Sequence, residues 1–166
     1  MTDQDDKPIN TKKSMKTQQW KILKKWLGYV IFGATIFFGN IQLQSYLGRQ
    51  ALSEVNLTKL SLEDAKQLAQ SSDKLILADM SSISCGSCRK LDKTVFANPK
   101  VEAYIRENFV FSRTEYNSAA GDDFMDAYNV RGFPTVLVLN ADGSLRKKMS
   151  LSFDPELYLE QLQASL

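Results

Sequence analysis

Two cysteines, Cys85 and Cys88, lie three positions apart in the run Ser84-Cys85-Gly86-Ser87-Cys88, and the sequence has no other cysteine. A short apolar run precedes this motif and a helical pattern follows it, so the first sulfur is expected at a helix N-terminus. Unpaired backbone N–H groups and the helix dipole favour a thiolate there, which lowers the pKa of the thiol. The second cysteine, one turn further on, is close enough to displace a mixed disulfide and close an intramolecular Cys85–Cys88 bond. The pair therefore predicts thiol–disulfide exchange.

Other roles for the cysteine pair are alternatives to exchange. A structural disulfide that closes so short a loop would remove little entropy from the unfolded chain, so it would stabilise the fold weakly. A structural zinc ion needs four ligands, whereas the sequence offers two cysteines and no histidine. A soft metal such as Cu(I) could bind the two thiolates, although no Met-rich motif accompanies them. We expect no metal and no cofactor other than the redox-active disulfide itself.

The elements that must position the motif alternate between helices and strands. Residues 62–70 are predicted as a helix that begins with a capping box at Ser61. Residues 75–78 form a short apolar run typical of a strand buried on both faces, and Asp79 follows it directly. The whole series is predicted as α, β, α, α, β, α, β, β, α, with a hairpin before the last strand. This order indicates an α/β fold with a mixed sheet and helices on both faces.

An apolar segment near the N-terminus is predicted to span a membrane. Residues 26–43 contain no charged residue, and these 18 positions lie near the lower limit of the roughly 17 to 25 that a spanning helix needs. Residues 1–25 carry seven lysines against three aspartates, a balance of +4 that favours a cytoplasmic N-terminus. We therefore expect a cytoplasmic basic leader (1–25), a transmembrane signal-anchor (26–43), a linker (44–60) and a domain (61–166) in the periplasm or another extracytoplasmic space.

The N-terminal segment has two further interpretations. A cleaved signal peptide would need small residues soon after the apolar core, yet the candidate site at residues 51–53 lies rather far from that core. A buried core helix fits poorly with the lysine-rich flank. The excess of lysines lies on this leader and not on the folded part, so we expect no nucleic-acid partner. The oligomeric state stays open.

Residues 61–166 resemble proteins of the thioredoxin fold. Three separated features carry the resemblance: Asp79 six residues before the first cysteine, the Cys-Gly-Ser-Cys motif, and Val-Arg-Gly-Phe-Pro-Thr at residues 130–135 ahead of a strand. Residues 89–99 and 107–110 further resemble the C-terminal domain of the transmembrane thiol–disulfide interchange reductase and small membrane-anchored oxidoreductases related to it. The resemblance implies a thioredoxin-like sheet with helices on both faces, preceded by the transmembrane helix.

The resemblance also implies a role for each of these residues. Cys85 would be the attacking nucleophile and Cys88 the resolving thiol, with Asp79 as the buried carboxylate that accepts a proton from Cys88. A carboxylate at the end of an apolar strand should have a raised pKa through desolvation, which suits proton transfer near neutrality. Pro134 would be the family's cis-proline opposite the motif, where the backbone of Phe133 pairs with the substrate chain.

Departures from the family pattern bear on partner recognition and redox potential. Ser84 and Ser87 occupy positions where tryptophan and proline are common, and Ser150 occupies that of a glycine. Gly86 and Ser87 are expected, with the cis-proline segment, to contact the substrate. Arg113, on the predicted central strand, is expected at the surface, with a position near the buried carboxylate as the alternative.

The direction of exchange is predicted from the charges around the motif. Gly86-Ser87 supplies no cation to stabilise a thiolate, and together with Asp79 this favours a reductant or electron relay that acts on protein thiols and disulfides. The expected electron donor is a membrane thiol relay. An oxidase or isomerase of protein disulfides is the first alternative, and a non-enzymatic assembly or soft-metal-binding module on the same fold is the second.

Overall fold

The structure is a computed structural model that describes the backbone of residues 11–166 and the side chains of Trp20 and of residues 23–166. The first ten residues of the predicted basic leader lie outside the described residues. The chain divides into two compact units, Met1–Ile41 and Gln42–Leu166.

The described part of the first unit belongs to helix α1, Thr11–Ser53. Within it, Leu23–Ser53 is long and apolar enough to cross a membrane by length and composition, with a mean hydropathy of 1.4 over an 18-residue window. Large apolar side chains such as Phe32 and Phe38 are exposed along this stretch, as lipid contact requires. The predicted span at residues 26–43 lies inside this candidate.

The second unit contains the predicted series of elements. Helix α1 is followed by α2 (Leu62–Ser72), β1 (Leu75–Ser81), α3 (Gly86–Leu91) with a π-helical continuation (Asp92–Phe96), α4 (Pro99–Asn108), β2 (Phe109–Glu115), α5 (Ala119–Tyr128), β3 (Thr135–Leu139), β4 (Leu145–Lys148) and α6 (Pro155–Gln163). The predicted order is confirmed. Ser61 caps α2 as expected, because its Oγ accepts a hydrogen bond of 3.1 Å from the backbone N–H of Asp64.

The four strands form one mixed sheet in the order β2-β1-β3-β4. Strands β1 and β2 are parallel, whereas β3 pairs antiparallel with β1 and with β4. Successive side chains of a strand point to opposite faces, so the sheet has two cores. Leu77, Phe111 and Val138 pack on one face with residues of α3, α4 and α6, and Ile76 and Leu139 pack on the other with residues of α2 and α5.

Residues 44–60 differ from the expected linker. Helix α1 continues to Ser53, and Ala51, Val55 and Leu57 are buried in the second unit. Leu60 forms an isolated parallel bridge with Ser112 at the edge strand β2. Val55 and Leu57 belong to the core cluster that also contains Leu77 of the sheet and Val101 of α4. This stretch is therefore a packed part of the domain.

Candidate active site

The cysteine motif lies at the junction of β1 and α3. Cys85 is the N-cap of α3 in an extended backbone conformation, and its Sγ accepts a hydrogen bond of 3.1 Å from the backbone N–H of Cys88. The two cysteines form the predicted disulfide, with their Cα atoms 5.3 Å apart. Cys88 is buried, whereas Cys85 is partly exposed. A partner can therefore reach the first sulfur more readily than the second.

The proline segment has the predicted backbone geometry. The Phe133–Pro134 peptide bond is cis, as expected. Phe133 is 38 % exposed, and its ring lies beside that of Tyr116 with the centroids 4.5 Å apart. Pro134 lines a small crevice together with Met149 and Tyr158. The exposed Phe133 ring and the adjoining crevice offer a surface that a partner could contact. The predicted substrate contacts of Phe133, Pro134, Gly86 and Ser87 stay a prediction.

Asp79 lies inside β1 and not directly after it, since the strand continues to Ser81. Its side chain is fully buried, and both of its carboxylate oxygens accept hydrogen bonds from Ser81 Oγ, at 2.7 and 2.8 Å. Burial raises the pKa of Asp79 to about 6, even though the Arg113 guanidinium and the Ser81 hydrogen bond oppose this shift. The direction is the one expected from desolvation, whereas the expected position at the strand end was wrong.

Arg113 is a buried partner of Asp79, so its predicted surface position was wrong and the alternative is confirmed. Its Nη1 lies 3.0 Å from Asp79 Oδ2, and only 8 % of its side chain is exposed. The parallel register places Arg113 directly opposite Asp79 on neighbouring strands. Both side chains therefore point to the same face of the sheet, which the sequence could not reveal without the strand pairing.

Asp92 is a further site residue that the sequence analysis missed. It is buried at the start of the π-helical turn, and its carboxylate accepts hydrogen bonds from both terminal nitrogens of Arg113, at 2.7 and 3.2 Å. One guanidinium therefore serves two buried carboxylates, and the charge of Asp92 contributes to the raised pKa of Asp79. A signal was available, because Asp92 follows Cys88 by four residues and so lies on the same helical face.

Tyr158 brings a buried hydroxyl to the same face of the sheet. Tyr158 lies in α6, and its ring packs edge to face on the ring of Phe96. Its hydroxyl has no hydrogen-bond partner among the described residues. Burial and the charge of Asp79 hold the pKa of Tyr158 well above its ordinary value. This phenol therefore stays neutral next to the buried charges.

Comparison with known proteins places this geometry in a family. The sequence model of a family described as thioredoxin-like domain matches residues 62–164, which is more than half of the chain. The chain belongs to this thioredoxin-like family. Its redox-active Cys85–Cys88 disulfide is that of a protein thiol–disulfide oxidoreductase, a class whose exchange chemistry needs no cofactor beyond the disulfide.

Curated relatives of this thioredoxin-like chain are much longer proteins. Plant UBX domain-containing protein 7 of Arabidopsis thaliana is 31% identical over 61% of this chain and 22% of that protein. The thiol:disulfide interchange protein DsbD of Pseudomonas fluorescens is 25% identical over 76% of this chain and 24% of that protein. The chain thus spans less than a quarter of the length of these relatives.

Solved thioredoxin-like structures share the fold. The C-terminal domain of DsbD from Neisseria meningitidis in its oxidised form superposes with a TM-score of 0.55 at 20% identity, covering 66% of this chain and 100% of that one. A disulphide isomerase from Xylella fastidiosa superposes with a TM-score of 0.53 at 22% identity, covering 63% and 88%. At these identities the two structures support the fold alone.

The raised pKa of Asp79 predicts a pH dependence of stability. Between the ordinary pKa of 3.8 and the folded value of about 6, the folded thioredoxin-like domain keeps a proton that the unfolded chain has lost. The contribution of Asp79 to the free energy of unfolding is therefore fully present below pH 4. It is lost as the pH rises through 6, which lowers the free energy of unfolding by up to about 3 kcal/mol. Asp79→Asn removes this fall, so the variant gains stability over the natural protein at pH 7 but not at pH 4.

Urea unfolding of both proteins at pH 4, 5, 6 and 7 measures the effect. Asp126→Asn is the matched control, because Asp126 is exposed on α5. Its unfolding free energy is expected to follow that of the natural protein at every pH. Parallel profiles for Asp79→Asn and the natural protein would contradict the raised pKa.

Proposed function

We propose that this chain is a membrane-anchored reductant or electron relay that exchanges disulfides with client proteins outside the cytoplasm. The observation that carries the proposal is the Cys85–Cys88 disulfide at a helix N-terminus, with one sulfur accessible and the other buried. Such an arrangement lets a client meet one sulfur while the second resolves the intermediate from inside the fold.

The proposed reaction moves two electrons from the reduced pair to a client disulfide. The Cys85 thiolate attacks one client sulfur, a new S–S bond forms, and the other client sulfur leaves as a thiolate that takes up a proton. Cys88 then loses its proton, with Asp79 as the proposed acceptor, and attacks Cys85. The mixed disulfide breaks, the client leaves as a dithiol and the Cys85–Cys88 disulfide remains.

The buried charges support the direction towards reduction. Asp79 and Asp92 outnumber Arg113 in their cluster, and Asp92 lies one helical turn after Cys88, so added negative charge on that thiol is disfavoured. Strong oxidants of this kind have a stabilised thiolate in their reduced form, and the cluster opposes that stabilisation. The DsbD relatives are named thiol:disulfide interchange proteins. That name supports thiol–disulfide interchange for this chain as well, and we propose a membrane thiol relay as the donor that regenerates the dithiol.

Reduction of a disulfide-bonded protein tests this function. The full chain, reduced and freed of reductant in detergent, is mixed with an oxidised client protein, and thiols on both are counted after acid quenching. We expect this chain to lose two thiols for every client disulfide that is reduced. Oxidation of a reduced client by the disulfide form, with no reaction in the other direction, would favour the oxidase alternative. Stoichiometric Cu(I) binding without electron transfer would favour the metal-binding module.

We also propose a membrane arrangement with a cytoplasmic leader (1–25), a transmembrane anchor (26–43) and an extracytoplasmic domain. Support comes from the apolar helix that begins near the N-terminus and from the lysines ahead of it. The candidate cleavage site at residues 51–53 lies in helix α1 with Ala51 fully buried, which disfavours removal of the segment by a peptidase. In this proposal the domain begins directly after the anchor, at Gln44, inside the second unit that starts at Gln42.

Thiol labelling in cells tests the orientation, because the chain has no cysteines besides the active pair. After mild reduction, a membrane-impermeant maleimide is added to bacterial cells that express the chain and whose outer membrane has been opened. We expect labelling of Cys85 without disruption of the inner membrane. Labelling that requires the inner membrane to be broken would place the domain in the cytoplasm and contradict the proposal.

A further inference from the structure

The segment at the end of the predicted anchor and directly after it contacts the redox site. We call residues 42–57 the neck. It comprises the end of helix α1, to Ser53, and the four residues after it. Ala51, Val55 and Leu57 are 0, 2 and 5 % exposed, so the neck is packed into the core of the second unit. Val55 and Leu57 belong to the core cluster that includes Leu91 of α3, the helix that carries Cys88.

Two polar contacts join the neck to the helix of the resolving cysteine. Gln44 Oε1 accepts a hydrogen bond of 2.8 Å from Nη1 of Arg89, the residue that follows Cys88. Further along, Glu54 pairs with Lys93 at 3.6 Å. The second pair is exposed and contributes little to stability, whereas the first is partly buried and restrains the side chain next to Cys88.

A backbone contact joins the neck to the loop that precedes the nucleophile. Gly48 is buried, and a Cβ added to it would overlap the carbonyl oxygen of Ile83, two residues before Cys85. That oxygen therefore occupies the space that a side chain at position 48 would need, and the two backbones are in direct contact. Any side chain at position 48 would force the helix or the loop to move.

The same loop is held from its other side by β2. The backbone N–H of Ile83 donates to both carboxylate oxygens of Glu115, at 3.0 and 3.2 Å. The backbone N–H of Cys85 donates to the carbonyl of Ser82 at 3.0 Å. The peptide groups of Ile83 are therefore fixed between the strand and the neck, and the turn that follows delivers Cys85 to the N-terminus of α3.

We propose that the neck is a positioning element of the redox site, in which Gly48 and Gln44 hold the Ile83 loop and the Arg89 side chain so that the Cys85 sulfur stays at the N-terminus of α3. The proposal rests on the exchange function proposed above. It predicts that the reactivity of Cys85 depends on residues in the same helix as the predicted membrane span. Neither residue touches a reacting sulfur, so both are positioning residues and not catalytic ones.

The reactivity of Cys85 tests the proposal in the reduced full chain in detergent. We expect Gly48→Ala to slow alkylation of Cys85 by iodoacetamide at pH 7 by roughly fivefold, because displacement of the loop moves the sulfur away from the N–H groups that stabilise its thiolate. The pH profile of alkylation should shift upward accordingly. Gly39→Ala is the matched control, since a Cβ at Gly39 in the same helix has no atom within 4 Å. It should react as the natural protein does.

If Gly48→Ala fails to fold, a second pair of variants tests the positioning role of the neck. Gln44→Ala removes one hydrogen bond and should slow alkylation by about twofold to threefold. Gln42→Ala, at an exposed neck position, should have no effect. The role of the neck would be overturned by two results together. Gln44→Ala would have the same alkylation rate and pH profile as both controls, and Gly48→Ala would either react at the normal rate or fail to fold. Absence of any dithiol–disulfide transition in the natural protein would instead overturn the proposed function.

Discussion

Replacement of Cys88 by serine will convert this protein into a trap for its clients. Cys85 can still attack a client disulfide, but no thiol remains inside the fold to resolve the mixed disulfide. Release then depends on external thiols, and we expect the complex to persist at least 100-fold longer than with the natural protein. Multiple-turnover reduction of a client should fall by a similar factor. The complex is visible as a band of raised mass on a non-reducing gel, and its partner can be identified by mass spectrometry.

Cys85→Ser provides the matched control for the trap. Its remaining thiol, Cys88, is buried and lies one turn inside the helix, away from the unpaired N–H groups at its start. We expect this variant to capture no client. Equal trapping by the two variants would mean that Cys85 is not the unique nucleophile, and the assignment of the two cysteines would have to be abandoned.

Removal of Arg113 should destabilise the fold strongly. Arg113→Met leaves the buried carboxylates of Asp79 and Asp92 without their cation. Loss of one partner from a buried ionic cluster costs about 3 to 5 kcal/mol, because the remaining charge is neither solvated nor paired. The pKa of Asp79 should rise further, since the guanidinium is the main group that lowers it. The loss of stability should therefore shrink as the pH falls and the carboxylates take up protons.

Urea unfolding at pH 7 and at pH 4 measures both parts of this effect. Arg131→Met is a suitable control, because Arg131 is exposed in the loop before Pro134 and its substitution should change stability by less than about 0.5 kcal/mol. The double variant Arg113→Met/Asp92→Asn should recover part of the loss at pH 7. If Arg113→Met unfolds at the same urea concentration as Arg131→Met, the buried cluster does not contribute as described.

The order of helices and strands was predictable because local signals agree with it. A capping serine, a proline at the first helical position, short apolar runs and a turn containing Gly143 each indicate one element boundary. Gly143 has a φ of +89°, a conformation that glycine adopts without steric cost. The spacing of the cysteines and the Phe133–Pro134 segment were also recognisable, since each is a short contiguous motif.

The parts that could not be predicted depend on contacts between distant segments. The position of Arg113 follows from the pairing of β2 beside β1, which brings together residues 34 positions apart. The packing of residues 44–60 follows from a surface that exists only after the helices have assembled. Asp92 is different, because its spacing from Cys88 was visible in the sequence. Its role required knowledge of the cation that it shares with Asp79.

The reduction potential of the Cys85–Cys88 couple tests the central claim most directly. The full chain in detergent is equilibrated with glutathione buffers of graded composition, quenched by alkylation, and separated into dithiol and disulfide forms. The charges around the site predict a two-electron transition below about −230 mV, near the −270 mV typical of thioredoxin and far from the −120 mV of strong oxidants. A transition above about −180 mV would contradict the direction of electron flow. A pair that shows no transition at all would contradict thiol–disulfide exchange itself.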